Sequence, residues 1–442
     1  MHTSHITSFA ALAVILGSCF NVEPLPDCSS AAGLYVRHHV CMPLAGPPLL
    51  LARRPEEMVV GDFDDDGFTN DLAILLDPDL VQIFAPLDLD APAPTRETEV
   101  FDGELDVEAL LPVRYLDSGA FGQDLIVWSS DPDPALSTET ATVVALRNGG
   151  DAFASGDRSD VLLGWESGPD GTFMVANPCP TPGSGVALGR PGSRGATAVV
   201  ISCEQADAAL TQGIVIRNQN YPGVPFSAHP QSPLPADSGV VDIRGTASAA
   251  IDTIGAPDIL IAHRPRNDKH DQLTIVLFDM MPTGTIELEP EQRSIDQIAS
   301  ADLDRDGDID IVLLHEDNRG FSVILQSAPL EFDEPRFYSP GYETGRLALG
   351  DFTGDSEVDV AVAHVIDNTT QNAITIFARD PDSGAHRLTP ATAGSLDGSI
   401  VELVVLDHDR DGRDDLAAAV RTGTRGSIWI YLNRSPGDVA GP

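Results

Sequence analysis

Residues 302–314 read DLDRDGDIDIVLL, an aspartate-rich loop that runs directly into a short apolar stretch. In such a loop, oxygens at positions 1, 3, 5 and 9 can surround a hard cation, together with the backbone carbonyl at position 7. A glycine at position 6 permits the sharp turn that this arrangement needs. Calcium is therefore the ion that the loop predicts, and its candidate ligands are Asp302, Asp304, Asp306, Asp308 and Asp310.

Three further loops follow the same pattern, and we name all four by their first residue: loops 62, 302, 351 and 407. Loop 407 has the spacing of loop 302, whereas loop 62 carries one extra residue, so that either Asn70 or Asp71 could close its site. Loop 351 has a hydroxyl at position 3 and no glycine at position 6, so we expect it to bind calcium more weakly. The candidate ligands are Asp62, Asp64, Asp66, Asn70 and Asp71; Asp351, Thr353, Asp355 and Asp359; and Asp407, Asp409, Asp411, Arg413 (through its carbonyl) and Asp415.

The same loop start opens helix-loop-helix calcium hands, which require a bidentate glutamate at position 12. The twelfth positions here cannot ligate through their side chains, and the flanking segments have strand-like composition. That class of calcium site is excluded by these residues: Ala73, Leu313, Val362 and Ala418.

A unit made of a loop, an apolar strand, a turn and a second apolar strand recurs along the chain, even where the aspartates are absent. Its loops begin at residues 62, 117, 189, 242, 302, 351 and 407. A period of roughly 50 residues with about four short strands is typical of a β-propeller, whose sheets bury their faces against each other. The sequence therefore predicts an all-β, seven-bladed β-propeller over residues 33–435, with calcium-binding D-x-D-x-D-G-x-x-D loops.

The apolar runs that define the units are four to six residues long, are rich in Val and Ile, and are bounded by Gly, Pro, Asn and Asp, which are strand signals. The first run of each unit is predicted at 72–76, 125–129, 198–202, 259–263, 311–315, 360–364 and 416–420. The second is predicted at 81–85, 142–146, 213–217, 273–278, 322–325, 373–377 and 427–432. The last unit lacks an outer strand, so we expect Leu34–Val40 to complete it and close the ring, which removes an open sheet edge.

These loops and strands resemble the FG-GAP or VCBS repeats of integrin α-chain propellers and of many bacterial surface proteins. In those repeats, the motif D-x-D/N-x-D/N-G-x-x-D precedes a strand of the L-A-V type. Loops 302, 407 and 62 match it well and loop 351 matches it in part, whereas the units at 117, 189 and 242 hardly match, so we expect these three to be metal-free. The resemblance implies a Ca²⁺-dependent scaffold for adhesion or for binding proteins or glycans.

The N-terminus has the pattern of an export signal: residues 1–18 carry no acid and contain a short apolar run, although they also lack Lys and Arg. The run ends at Leu16-Gly17-Ser18-Cys19, which resembles the bacterial lipobox, in which cleavage exposes the cysteine for lipid attachment. The alternative is a plain export signal with a buried cysteine. We expect lipidation of Cys19, a tether at 19–32, a tail at 436–442, and a location in the cell envelope, at the outer membrane or the cell surface.

The four remaining cysteines form an even set, which predicts two disulfides in an oxidising compartment. Three pairings are possible. We favour the two that join a loop to a nearby strand without crossing the ring: Cys28 with Cys41, and Cys179 with Cys203.

Charge and motifs restrict the function. The chain has 68 acidic and 26 basic side chains and a formal net charge of −42, which opposes binding to nucleic acid. It carries no nucleophile elbow, phosphate loop or H-E-x-x-H motif. We therefore expect a non-catalytic, monomeric binding scaffold. Two alternatives are a propeller enzyme, such as a polysaccharide lyase or another hydrolase, and an accessory subunit of an envelope complex.

Three histidines occupy one equivalent position in consecutive units, five residues beyond the last aspartate of each loop. They could line a ligand surface or approach each other as a transition-metal site. The alternative, which we favour, is that each histidine caps a strand by hydrogen bonding. These residues are His263, His315 and His364.

Overall fold

The chain folds as a β-propeller, which we describe from a computed structural model. No residue that the structure describes lies in a helix, so no helix that could span a membrane occurs among them. The described residues are 34–35, 40–89, 93–100, 107, 109–113, 122–132, 141–148, 153–154, 161–163, 181–189, 196–204, 214–218, 227–231, 240–251, 258–265, 270–276, 282–287, 294–315, 319–365, 371–379 and 388–435.

The strands are short and follow each other as antiparallel meanders. In chain order they are β1 (Leu34–Tyr35), β2 (Cys41–Met42), β3 (Leu49–Leu51), β4 (Pro55–Gly61), β5 (Asp71–Leu76), β6 (Leu80–Phe84), β7 (Arg96–Glu99), β8 (Ala109–Val113), β9 (Asp124–Pro132), β10 (Ala141–Asn148), β11 (Phe153–Ala154), β12 (Val161–Leu163), β13 (Thr181–Gly189), β14 (Ala196–Glu204), β15 (Ile214–Asn218), β16 (Ser227–Gln231), β17 (Val240–Ala249), β18 (Asp258–Pro265), β19 (Gln272–Val276), β20 (Pro282–Glu287), β21 (Gln297–Ala301), β22 (Asp310–His315), β23 (Gly320–Ile324), β24 (Gln326–Ala328), β25 (Glu331–Phe332), β26 (Arg336–Tyr338), β27 (Thr344–Gly350), β28 (Asp359–Val365), β29 (Gln371–Arg379), β30 (Leu388–Asp397), β31 (Ser399–Leu406), β32 (Asp415–Thr422) and β33 (Arg425–Tyr431).

The prediction of a ring of seven equivalent blades is wrong. Five blades have the predicted form, in which one continuous stretch of chain supplies a four-stranded sheet. These five are β4 to β7, β13 to β16, β17 to β20, β21 to β23 with β26, and β27 to β30.

Two further sheets depart from that form. One has five strands, because β10 pairs with β9 on one edge and shares its other edge between the short strands β11 and β12. The register of β10 against β12 shifts between Val143 and Val144. The other sheet combines the two ends of the chain, in the order β3, β33, β32, β31. Periodicity predicted the repeated strands but not these two irregular sheets.

The predicted pairs of apolar runs are confirmed as the second and third strands of the sheets. The run predicted at 311–315, for example, is β22, and the run at 322–325 overlaps β23, with which β22 pairs in antiparallel register. Each acidic loop connects the first strand of a sheet to the second. Because the first strands of neighbouring sheets pack against each other, as β31 does against β4, these loops lie on one face of the propeller.

The ring is closed by an N-terminal segment, but not by the predicted Leu34–Val40. β1 pairs with β2 in a separate two-stranded sheet, whereas β3 pairs with β33. The segment before β3 also bonds to the last strand, since the backbone N–H of Ala45 donates to the carbonyl of Ile430 at 2.9 Å. Closure therefore uses a stretch with alternating burial, in which Leu49 and Leu51 face the core and Leu50 faces solvent.

The core lies between the sheets. All six residues of β5 are buried, because its two faces pack against different neighbours. Leu72 and Ile74 join the cluster of the closing sheet, which includes Leu51 and Ile428. Leu75, from the opposite face, joins the cluster shared with β8 and β9. Such burial on both faces explains why the second strands read as unbroken apolar runs in the sequence.

A pair of adjacent leucines tests the closing strand. Leu51→Ala removes a side chain that is 4% exposed, so we expect the free energy of unfolding to fall by about 2–5 kcal/mol. Leu50→Ala removes a side chain that is 78% exposed, so we expect a change of no more than about 0.5 kcal/mol. Urea denaturation of both variants measures the difference. Equal effects would contradict the assignment of β3 as the closing strand.

Candidate metal centre

Three acidic loops bring carboxylates together, as the sequence predicts. In each cluster, one oxygen from every member lies within 4.8 Å of the others. Only carboxylates contribute to these clusters, which suits a hard cation with oxygen ligands. The clusters are Asp62, Asp64 and Asp66 in loop 62; Asp302, Asp304 and Asp306 in loop 302; and Asp407, Asp409 and Asp415 in loop 407.

The backbone of each loop turns inward through two residues with positive φ. Position 4 is left-handed in loops 302 and 407, at Arg305 (62°) and Arg410 (61°), and position 6 is a glycine with φ of 94° at Gly307 and 83° at Gly412. A Cβ on either glycine would meet no atom within 4 Å, so conformation rather than space requires glycine there.

The first aspartate of loops 302, 351 and 407 accepts backbone N–H groups from within the loop. The two carboxylate oxygens of Asp407 accept from Asp411 and Gly412, both at 3.0 Å. In loop 302, Asp302 accepts from Gly307 at 3.1 Å through Oδ2, while its buried Oδ1 has no hydrogen bond. The loops are thus shaped by their own hydrogen bonds, which orient the acids towards a shared centre.

Loop 351 has a different interior. Asp351 accepts three backbone N–H groups, from Gly354 at 2.6 Å, Asp355 at 3.1 Å and Ser356 at 2.7 Å. Asp351 thus accepts one backbone N–H group more than Asp407 does, and loop 351 forms none of the three-acid clusters found in the described residues. Weak binding by loop 351 stays a prediction, and this geometry agrees with it.

The aspartate at position 9 has a role that the sequence reading missed. It begins the second strand, is fully buried, and accepts the backbone N–H of the second residue of its loop. Asp310 accepts the N–H of Leu303 through one oxygen and that of Gln326 through the other, both at 2.8 Å. Asp415 does the same with His408 at 2.9 Å and Asn433 at 2.6 Å. We call this residue the clamp aspartate.

Two aspartates make one of these bonds in units whose loops lack the central acids. Asp258 accepts the N–H of Ile251 at 3.0 Å, and Asp124 accepts that of Asn148 at 2.7 Å. Both aspartates are fully buried at the starts of β18 and β9. The donor and the acceptor of this bond lie seven or more residues apart in the sequence. The sequence therefore gives only one signal for it, which is an aspartate that persists in the units whose central acids are absent.

Burial raises the pKa of the clamp aspartates. The pKa is about 7 for Asp71 and Asp415, about 6 for Asp310 and about 8 for Asp359, and burial is the largest cause in each case. Neighbouring acids of the same loop raise these pKa values further, as Asp64 and Asp66 do for Asp71. A bound cation would offset both effects, since it favours the ionised form.

Loop 62 gives the clearest test of fit to calcium. Asp71 accepts N–H groups from Phe63 at 2.8 Å and Asp64 at 3.2 Å through Oδ2, while its Oδ1 is buried without a hydrogen bond. Oδ1 of Asn70 is also buried without a hydrogen bond. Buried oxygens of this kind are costly unless a donor or a cation satisfies them. The oxygen donors of loop 62 therefore fit a Ca²⁺ ion, and both predicted closing residues lie at the loop.

The three equivalent histidines are buried and bond within their own sheets. Nε2 of His263 and of His364 lies 2.8 Å from the hydroxyl of Thr274 and of Thr375, respectively. Nε2 of His315 lies 2.9 Å from a serine hydroxyl, and its Nδ1 lies 2.6 Å from the carbonyl of Ser294. Burial lowers the pKa of all three imidazoles, to about 4 for His263. This geometry agrees with the strand-capping alternative.

Several predicted residues have no structural description. Cys19, Cys28 and Cys179 lie outside the described residues, as does the predicted export signal. Cys41 lies in β2 and Cys203 lies in β14. Lipidation and both disulfide pairings therefore stay predictions.

Comparisons with known proteins give a fold likeness only. No protein-family model matches the chain, and no curated protein matches it. Among solved structures, one described as the structure of the Dos1 propeller is 8% identical, with a TM-score of 0.49, and the match covers 85% of this chain and 77% of that one.

Substitutions of two aspartates distinguish the clamp role from the calcium-ligand role. Asp258→Asn places an amide NH₂ beside backbone donors in a unit without an acidic cluster, so we expect a loss of about 1–3 kcal/mol in stability, equal in calcium and in chelator. Asp64→Asn keeps the oxygen that accepts from Asp66 but removes a charge, so we expect it to reduce only the calcium-dependent part of the stability. Melting curves with and without calcium measure both. A calcium-dependent effect of Asp258→Asn would contradict the assignment of separate clamp and calcium-ligand roles.

The raised pKa values predict an unusual pH dependence. The folded metal-free chain holds protons on Asp71, Asp359 and Asp415 that the unfolded chain releases near pH 4, so its stability should fall as pH rises from about 4 to about 8. Calcium favours the ionised form, so the rise in melting temperature that it causes should be larger at about pH 7.5 than at about pH 5. An equal rise at both pH values would contradict this assignment.

Proposed function

We propose that this chain is a calcium-stabilised β-propeller that is anchored to a membrane through a lipid on Cys19 and acts as a non-catalytic binding scaffold for protein or glycan ligands. The observation that carries the proposal is the set of three all-carboxylate clusters on loops at one face of the propeller. The resemblance of these loops to FG-GAP or VCBS repeats agrees with it.

Contacts between loops support a common function for this face. Arg305 of loop 302 donates to the carbonyls of Asp355 and Ser356 in loop 351, both at 3.0 Å. Arg410 of loop 407 pairs with Asp66 of loop 62, and its guanidinium lies 4.7 Å from the centre of the Phe68 ring. Loops of neighbouring blades are therefore linked, so ions that order one loop would restrain the next.

Each cluster supplies fewer oxygen ligands than a calcium ion takes, which leaves room for a ligand from a partner. Calcium takes six to eight oxygens, and each cluster supplies three carboxylates. When bound, the ion would supply open coordination positions for water, for a sugar hydroxyl or for a protein carboxylate. Asp66 and Asp306 are exposed, which places these clusters within reach of a large ligand.

The charge of the chain favours particular partners. A net charge of −42 repels nucleic acid and anionic lipid surfaces, so a neutral or calcium-bridged ligand fits better. Attachment by acyl chains needs no basic surface on the folded domain, and it holds a soluble domain firmly at a membrane. The scaffold would thus present its loops to ligands outside the membrane.

A capture experiment tests the proposal. The Cys19→Ser chain should move from the membrane fraction to the soluble fraction of a bacterial host, and it then serves as bait. We expect it to retain glycan or envelope-protein ligands in millimolar calcium and to release them in chelator, because the ions hold the binding face. A double Asp64→Asn, Asp304→Asn variant is the control and should retain less. Retention that chelator leaves unchanged would contradict a calcium-dependent scaffold.

A further inference from the structure

One of the three cluster loops has two of its carboxylates paired with a cation from the chain itself. Arg434 follows the last strand, and its guanidinium bonds to two aspartates of loop 407: Nη1 lies 2.7 Å from Oδ2 of Asp411, and Nη2 pairs with Oδ2 of Asp409. These aspartates occupy positions 5 and 3 of the loop, which are the positions that calcium coordination uses.

We propose that Arg434 is an internal competitor for the cation of loop 407 and lowers the calcium affinity of that loop. The inference rests on the proposed calcium role and adds its regulation. While the guanidinium bonds to Asp409 and Asp411, one oxygen of each carboxylate is engaged, and a positive charge stands beside the site. Calcium must displace these bonds or bind with fewer oxygens, and it meets charge repulsion in either case.

The competitor is held in place by its backbone rather than by its ion pairs. The N–H of Arg434 donates to the carbonyl of Cys41 at 2.8 Å. On either side, Asn433 donates to the clamp Asp415 at 2.6 Å, and the buried hydroxyl of Ser435 donates to the carbonyl of Phe352 at 2.7 Å. The guanidinium can therefore leave the loop while the segment 433–435 stays anchored. It can also return without ordering the backbone again.

Two other arginines at these loops engage fewer carboxylates than Arg434 does. Arg305 bonds to carbonyl oxygens of loop 351, so it occupies no carboxylate of that loop. Arg410 pairs with a single carboxylate, Asp66. Arg434 alone among these three engages two acids of one cluster loop, so the competition should be strongest at loop 407.

Arg413 of loop 407 offers a matched control. The guanidinium of Arg413 lies 2.5 Å from the carbonyl of Ser435, and this contact engages no carboxylate. Arg413→Gln removes the same charge from the same region as Arg434→Gln but frees no aspartate. Comparing the two variants separates direct competition from the general field of a nearby cation.

The test uses the soluble Cys19→Ser chain with Asp64→Asn, Asp304→Asn and Asp355→Asn, which leaves loop 407 as the intact acidic loop. Isothermal titration with CaCl₂ measures its affinity. We expect Arg434→Gln to bind calcium about tenfold more tightly, since two exposed ion pairs no longer oppose binding. Arg413→Gln should change the affinity by less than about threefold. Arg434→Lys, which can hold one carboxylate at a time, should be intermediate.

The outcomes distinguish this inference from the proposed function. Unchanged affinity in both Arg434 variants would overturn the competition while leaving the calcium scaffold intact. Equal tightening by Arg434→Gln and Arg413→Gln would also overturn it, because the effect would then be general charge repulsion. The absence of calcium uptake in every variant, and in the chain with all its loops intact, would overturn both. Thermal melts in chelator establish that each variant is folded, and Arg434→Lys keeps the test usable if Arg434→Gln does not fold.

Discussion

The structure depends on a buried aspartate that begins the second strand in six of its sheets. A charged group without water is tolerated only when hydrogen bonds satisfy it, and in Asp310 and Asp415 the bonds come from backbone N–H groups of two separate segments. Asp310 joins the start of its loop to the residue after the third strand, and Asp415 does the same. One side chain thereby fixes both the loop that leaves the first strand and the exit of the third.

The same clamp connects neighbouring sheets. The residue that donates its N–H to the clamp also carries an amide side chain in three sheets. Each amide donates to a backbone carbonyl in the loop of the preceding sheet, at 2.7 or 2.8 Å. Because the amide is held at its own backbone by the clamp, the link between sheets is rigid at both ends. The donor and acceptor pairs are Asn148 with Phe63, Gln326 with Ile251, and Asn433 with Asp351.

The sequence predicted the middle of each sheet and failed at the edges, for a physical reason. Second strands are buried on both faces and read as apolar runs, as in β22, where all six residues are buried. The outer strand β7 has the sequence RETE and no fully buried residue, so nothing in its composition indicates a strand. First strands such as β21 (QIASA) are also mostly polar or small. The split outer edge of β10 and the use of β3 for closure depend on pairing between distant segments, which periodicity cannot show.

The sequence predicted only part of the candidate site, because it shows contacts within a loop but not contacts with distant residues. Spacing located the acids that form the three clusters, because ligand geometry is local to a loop of nine residues. The role of position 9 was not predicted, since its partners, such as Gln326 and Asn433, lie sixteen and eighteen residues away. Arg434 was likewise invisible from the loop motif, because it reaches loop 407 from beyond the last strand.

The distribution of the clamp argues that metal binding was added to a loop that the fold already required. Asp124 and Asp258 keep the buried carboxylate and its backbone bonds in units whose central acids are missing, so the sheet needs the clamp whether or not an ion can bind. In loops 62 and 407, the same residue lies beside the exposed acids, and a cation there would also favour its ionised form. Calcium would therefore strengthen an existing hydrogen-bonded joint rather than create it, and the loops that hold acids are those in which this joint can respond to the ion.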